Sequence, residues 1–156
     1  MRVHVCAVGR LRAGPERELI DDYLTRFDRT GRNLGLGPTN IIEVEDKNGG
    51  KQSTEADLLR RSIPKGSVTC ALDERGKTLS SPDFANLLAR WRDEGRQDLA
   101  FIIGGADGIA PDLRAEVDQT LSFGKMVWPH MLARVMLAEQ LYRAASILAG
   151  APYHRV

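Results

Sequence analysis

This chain of 156 residues has almost no net charge: 22 Lys and Arg stand against 21 Asp and Glu, leaving +1. A protein that held nucleic acid by electrostatics alone would be clearly basic. RNA remains open only as a folded partner met through a local patch. Cysteine is scarce. Cys6 and Cys70 stand alone in apolar runs, which reads as two buried thiols rather than a disulfide framework. No apolar run approaches the roughly 20 residues that span a bilayer. Arg2 and His4 interrupt the short apolar start, so no signal peptide is read there. These absences point to a cytosolic protein with no membrane partner and no metal. Repeats, low-complexity segments and linkers are missing as well. With 42% apolar residues, residues 1–156 read as a single domain with a proper core.

What is present is an alternation of strand and helix. Val3 to Val8, Ile41 to Val44, Ser67 to Leu72 and Leu99 to Ile103 are strand candidates, the last apolar throughout, as a central parallel strand should be. Between them, Pro15 to about Asp28 carries Leu19, Ile20, Tyr23, Leu24 and Phe27 at helical spacing. Thr54 can cap a short helix from Glu55 to Arg61, and Ser81 with Pro82 can open another at N-cap and N1. Pro111 to about Val117 reads as a third short helix, and His130 to Ala149 as a long one. Thr30 to Asn40 and the polar stretch Asp46 to Thr54 read as irregular. The pattern predicts an α/β fold with a mostly parallel sheet and helices on both faces. Ligands in such sheets bind beyond the carboxyl ends of the strands. Three loops should meet there: after Leu72, after Ile103, and from Leu121 to Trp128.

Several stretches in those loops invite chemistry. GRLRAG after the first strand has bracketing glycines but lacks the Lys-Ser/Thr pair of a phosphate loop, so a strand-to-helix turn is the reading. It still leaves Arg10 and Arg12 at the carboxyl end of a strand. Gly104 and Gly105 follow a buried strand. They allow either close approach of a ligand to the backbone or a tight turn with no ligand. On the first alternative, a valine at Gly104 should block the ligand and leave the fold largely intact. Phe123 to Trp128 could be a second wall or plain core. His130 is equally a helix cap or a functional group. Glu139 and Arg143, at i and i+4, read as an intrahelical ion pair. The helix from His130 is apolar on most of its circumference, more than a surface helix needs. That suggests burial against both a sheet and a partner chain.

Taken in order, VCAVG (Val5 to Gly9), Leu72-Asp73 with Gly76-Lys77, Ile103-Gly104-Gly105 with Gly108, Leu121-Ser122-Phe123, Pro129-His130, Arg134-Val135, Ala138 to Ala144 and the terminal Tyr153-His154-Arg155 match a family. The chain resembles, over its whole length, the small bacterial SPOUT-class methyltransferases that modify a pseudouridine of large-subunit ribosomal RNA at N3. The resemblance implies a C-terminal trefoil knot, S-adenosyl-L-methionine as methyl donor, a homodimer, and large-subunit ribosomal RNA or the assembled ribosome as partner. It places the donor against Leu72, Gly104 and the run Phe123, Gly124, Lys125, Met126, Val127 and Trp128. It places the chemistry at the tail, on Tyr153, His154, Arg155 and Arg143, with His154 the candidate base. The competing reading is a non-catalytic ribosome- or nucleotide-binding module on the same fold.

Overall fold

A computed structural model describes residues 1–155. Five strands form one sheet in the order β2-β1-β4-β3-β5. They are β1 (Arg2–Val8), β2 (Thr39–Val44), β3 (Val68–Thr78), β4 (Asp98–Ile103) and β5 (Gln119–Ser122), and every pairing is parallel. The helices are α1 (Pro15–Gly31), α2 (Gln52–Ser62), α3 (Ser81–Asp93), α4 (Pro111–Glu116) and α5 (His130–Leu148). No helix among the described residues is long and apolar enough to cross a membrane.

Alternation along the strands sorts the core into two layers. Val3, Val5, Ala7, Cys70, Leu99, Phe101 and Ile103 point to the face covered by α1, α3 and α5. Cys6, Val8, Ala71, Ala100 and Ile102 point to the face covered by α2 and α4. The central strand β4 is therefore buried on both sides, which is why Leu99 to Ile103 carries no polar residue. Cys6 and Cys70 are free buried thiols, as read from their spacing. Burial pushes the Cys70 thiol up to about 12.

The structure departs from the sequence reading in four places. The stretch read as the start of a loop contains β5. Only Leu121 and Ser122 of that strand are buried, so it has no β-branched apolar run to announce it. Next, β3 does not end at Leu72. Its register shifts there, so that Leu72 and Lys77 both pair with Leu121, and Asp73 to Gly76 form an excursion within the strand. At Gly76 the backbone meets β5 so closely that a Cβ would lie 2.7 Å from the Thr120 carbonyl carbon. Third, α3 is capped by Ser80, whose hydroxyl accepts from the Asp83 amide at 3.1 Å, and Ser81 is the first helical residue. Last, α2 begins at Gln52 with Lys51 as an N-cap that makes no side-chain bond, and Thr54 lies in the first turn rather than at the cap.

Candidate active site

A cleft of about 700 Å³ opens at the carboxyl ends of β3 and β4, within the size range of small-molecule sites. One wall is the loop from Ile103 to Ile109, a second runs from Leu72 to Arg75, and a third is Val127 to His130 with Ala133 of α5. The first wall is a tight hairpin: Gly105 and Gly108 form an isolated bridge, and the Gly108 amide donates to the Gly105 carbonyl at 3.0 Å. Gln52 of α2, which also lines the cleft, braces it, donating from Nε2 to the Asp107 carbonyl at 2.7 Å.

Gly104 is required by this hairpin rather than by open ligand space. A Cβ there would lie 2.6 Å from the Gly108 carbonyl carbon and 2.7 Å from its oxygen. This corrects the expectation that Gly104→Val would leave the fold intact. The hairpin must open to accept the side chain. Gly104→Val is expected to lose donor binding together with thermal stability. Calorimetry with S-adenosylmethionine, paired with a melting curve, checks this; wild-type values in both would remove Gly104 from the argument.

The cleft carries acid and base in close order. Asp73, buried in the second wall, accepts from the Arg75 amide at 2.9 Å and pairs with the Arg114 guanidinium at 3.2 Å. Glu74 and Asp107 stand exposed on the rim. Beneath Gly105 lies the buried Glu55. Loss of water, and then the charges of Asp107 and Asp46, raise its carboxyl above the usual range. His130 is pulled below its ordinary value by burial first and by the Arg134 charge second, so its neutral imidazole prevails at neutral pH. The exposed carboxylates of Glu74 and Asp107, the exposed Arg75 guanidinium, free backbone and the half-exposed Trp128 ring suit a ligand that joins a flat aromatic part to charged groups of both signs.

A second cluster lies farther along α5. Arg143 donates from Nη2 and Nε to the same Glu139 Oε1, at 2.6 and 3.0 Å, and the Tyr153 hydroxyl donates to that oxygen at 3.0 Å. The Arg143 guanidinium also stands 4.8 Å from the Tyr153 ring centre and places Nη1 3.2 Å from His154 Nδ1. A guanidinium only donates, so His154 accepts at Nδ1 and carries its neutral-form proton on Nε2. Burial, then the bond to Glu139, raises the Tyr153 hydroxyl above its usual range, and it stays a neutral phenol at physiological pH. The expected intrahelical pair is thus real, but it is also the anchor of the tail.

The structure therefore divides the residues singled out from sequence. Leu72, Gly104, Val127 and Trp128 line the cleft. Phe123 and Gly124 line a neighbouring hollow with Leu121, Met136 and Gln140. Lys125 and Met126 project into solvent, Met126 being 75% exposed. Tyr153, His154 and Arg143 come together, and Arg155 is exposed beside them. Ala133 and Glu139 are six residues apart on α5, so the tail cluster begins roughly 9 Å up the helix from the cleft. Asp73, Glu74, Arg114 and Asp107 were not read as site residues. The signal for Asp73, Glu74 and Asp107 was position alone, in the polar stretches after Leu72 and Ile103, and Arg114 on α4 left none.

A family model described as "Predicted SPOUT methyltransferase" matches residues 1–154. The chain belongs to the SPOUT methyltransferase family. This SPOUT methyltransferase is 72% identical over 156 residues to the ribosomal RNA large subunit methyltransferase H of Ruegeria sp. (strain TM1040), all of both chains being covered. It is 72% identical, again over the whole of both chains, to the protein of that name from Dinoroseobacter shibae. Among solved structures, a probable methylase family protein from Haemophilus influenzae has a TM-score of 0.54 at 11% identity, covering 99% of this chain and 70% of that one. A probable methyltransferase from Bordetella pertussis has a TM-score of 0.52 at 15% identity, over 92% of this chain and 96% of its own. Those two likenesses concern the fold alone, and they agree with the α/β class read from the strand and helix alternation.

Proposed function

We propose that this protein is an S-adenosylmethionine-dependent methyltransferase that methylates N3 of a pseudouridine in large-subunit ribosomal RNA, acting on the assembled ribosome in the cytoplasm. The observation that carries this is the end-to-end match, 72% identical over 156 residues, to relatives named ribosomal RNA large subunit methyltransferase H. The C-terminal trefoil knot belongs to the same reading.

The residues of the cleft fit the donor. Val127, Trp128 and Leu72 offer apolar surface to an adenine ring, and the hairpin from Gly104 to Gly108 offers backbone. Glu74 and Asp107 offer carboxylates to a cationic group. When bound, S-adenosylmethionine supplies an electrophilic methyl group. The remaining work falls to this chain: holding the acceptor nitrogen at attack distance and removing its proton. N3 of a pseudouridine is protonated, and His154 is the side chain of the tail suited to take that proton. Its basic nitrogen is Nδ1, so Arg143 must release that atom as the acceptor enters. Arg143 and Arg155 then face phosphate or the anionic base.

Cleft and tail lie roughly 9 Å apart along one helix, which favours a homodimer in which the tail of one chain meets the cleft of the other. Apolar residues support this assembly. Leu132 is 42%, Val127 78% and Leu19 45% exposed. Val135, Met136, Phe123 and Tyr23 line an open hollow between α1 and α5.

Incubation with radiolabelled donor and ribosomes from a strain lacking the enzyme, followed by mapping of the label, tests the reaction. Label on N3 of one large-subunit pseudouridine is expected. Donor binding without transfer would instead favour the non-catalytic module. Naked RNA should be a much poorer substrate than whole ribosomes, because a net charge of +1 gives little attraction for phosphate as such. Equal rates on both would contradict recognition of an assembled surface.

A further inference from the structure

Arg134 is the largest fully buried side chain of the protein, 1% exposed in the middle of an apolar helix. Taking a guanidinium out of water is costly, and its neighbours on that face, Leu137 and Ala138, show that an apolar residue would suit the packing. Its bonds explain what it does. Nη1 donates to Glu43 Oε2 of β2 at 2.6 Å, and Nη2 donates to the Gly9 carbonyl at 3.1 Å. The same Glu43 oxygen accepts from the Leu11 amide at 2.7 Å. Helix α5 thus grips the segment after β1 at two points, through Gly9 directly and through Glu43 at Leu11.

Beyond its first residue, where the Gly9 amide donates to the Val44 carbonyl at 2.8 Å, that segment has little else to hold it. Between Val8 and Pro15 there is no helix or strand, and of its side chains only Leu11 packs against the core. It carries Arg10 and Arg12, both exposed. Arg10 has one acidic neighbour, Glu45 at 3.8 Å, and both side chains are more than half exposed, a pair worth little in water. The segment also lies beside the cleft. A Cβ on Gly9 would be 4.0 Å from His130 Nε2, and His130 is part of the cleft wall. A costly buried charge therefore fixes the position of two exposed guanidinium groups, one of them only loosely paired with Glu45, next to the site, in a chain whose overall charge supplies almost none.

We infer that the segment Gly9 to Gly14 is an RNA-contacting arm whose two arginines bind backbone phosphates of the ribosomal substrate, with Arg134 and Glu43 as its positioning residues. This rests on the function proposed above. Phosphate is the matching partner because guanidinium groups pair with its oxygens at low cost of dehydration, and because the arm presents no apolar or acidic recognition surface of its own.

The test uses the full chain and whole ribosomes. Arg10→Ala with Arg12→Ala touches no core contact. It is expected to raise the KM for ribosomes about tenfold, with kcat and donor affinity unchanged. The slope of log affinity against log salt should fall by about one for each arginine removed. Glu43→Gln keeps an acceptor for the Leu11 amide but loses the ion pair. It should raise the ribosome KM in the same direction, and adding the two alanine substitutions to it should then have less effect than in the wild-type background. A Glu43→Gln protein that melts early would be replaced in that comparison by Arg134→Lys. Co-sedimentation with ribosomes reads the same contact without turnover, so it decides the matter even if the wild-type protein transfers no methyl group and the proposed reaction fails. Unchanged ribosome affinity and salt slope in the double alanine variant would overturn the inference, as would its photo-crosslinking from position 12 to ribosomal protein alone.

Discussion

Removing Tyr153 to Val156 is expected to lower methyl transfer by at least about 100-fold, the lower range for loss of a positioned general base. Donor affinity should change by less than about tenfold, or roughly 1.4 kcal/mol. The separation of cleft and tail is the reason. The walls of the cleft come from the Leu72 to Arg75 excursion of β3, from the hairpin after β4, from Val127 to His130 and from Ala133, and among the described residues none comes from the tail. The tail instead ends on Glu139, Arg143 and the Tyr142 ring, whose centre is 4.6 Å from that of Tyr153. Deletion leaves Glu139 paired with Arg143, so no charge is stranded and the helix should stay folded. A finer variant separates the parts. Tyr153→Phe removes only the hydroxyl bond to Glu139, worth about 1 kcal/mol, and should retain most of the activity. His154→Ala should reproduce most of the loss. Single-turnover rates with saturating donor, beside calorimetry, measure both quantities. If the truncated protein no longer binds donor, the tail is a wall of the donor pocket and His154 is not the base.

How far these assignments were legible in the sequence depended on which physical signal each residue left. The two-faced burial of β4 was plain in Leu99 to Ile103, and α1 was plain in its spacing. β5 was not, because a four-residue strand whose neighbour supplies the hydrogen bonds needs only one apolar contact, at Leu121. The excursion at Asp73 to Gly76 looks polar and loop-like in sequence. Only the pairing of Lys77 with Leu121 reveals that the strand resumes. Of the residues expected at the donor, Gly104 directly follows β4, where fold class alone predicts a ligand, and Leu72 marks the break in the register of β3. The run from Phe123 to Trp128 divides between two hollows and solvent, since a non-repetitive loop has no period from which to read direction. Arg134 broke the apolar pattern of α5, yet the pattern could not say that its partners would be Glu43 and Gly9, more than 90 residues away in sequence.

The largest effect of any single substitution is expected on the apolar side of α5. Leu132 is 42% exposed, and Val135 and Met136 line the hollow shared with Leu19, Tyr23 and Phe123. Together with Met126, Val127 and Trp128, 75%, 78% and 42% exposed, they put more large apolar groups in water than a stable monomer usually tolerates. A two-fold assembly buries one self-complementary patch against its copy, and a lasting one removes at least about 1,000 Å² from water. Leu132→Glu places a charge in that patch without touching the core, and Met136→Glu does the same one turn farther on. Both variants should sediment as monomers and lose methyl transfer by on the order of 100-fold or more, because in the proposed dimer each cleft takes from its partner the tail that carries the proposed base. Donor binding should weaken far less, since the cleft walls belong to one chain. Mixing supplies the decisive arm. A tail-deleted chain and a Gly104→Val chain are each inactive alone, but together they can form one hybrid site, with cleft from the first and tail from the second. Recovered activity in that mixture supports a shared site. Full activity in a monomeric Leu132→Glu protein would show that one chain folds its own tail over its own cleft.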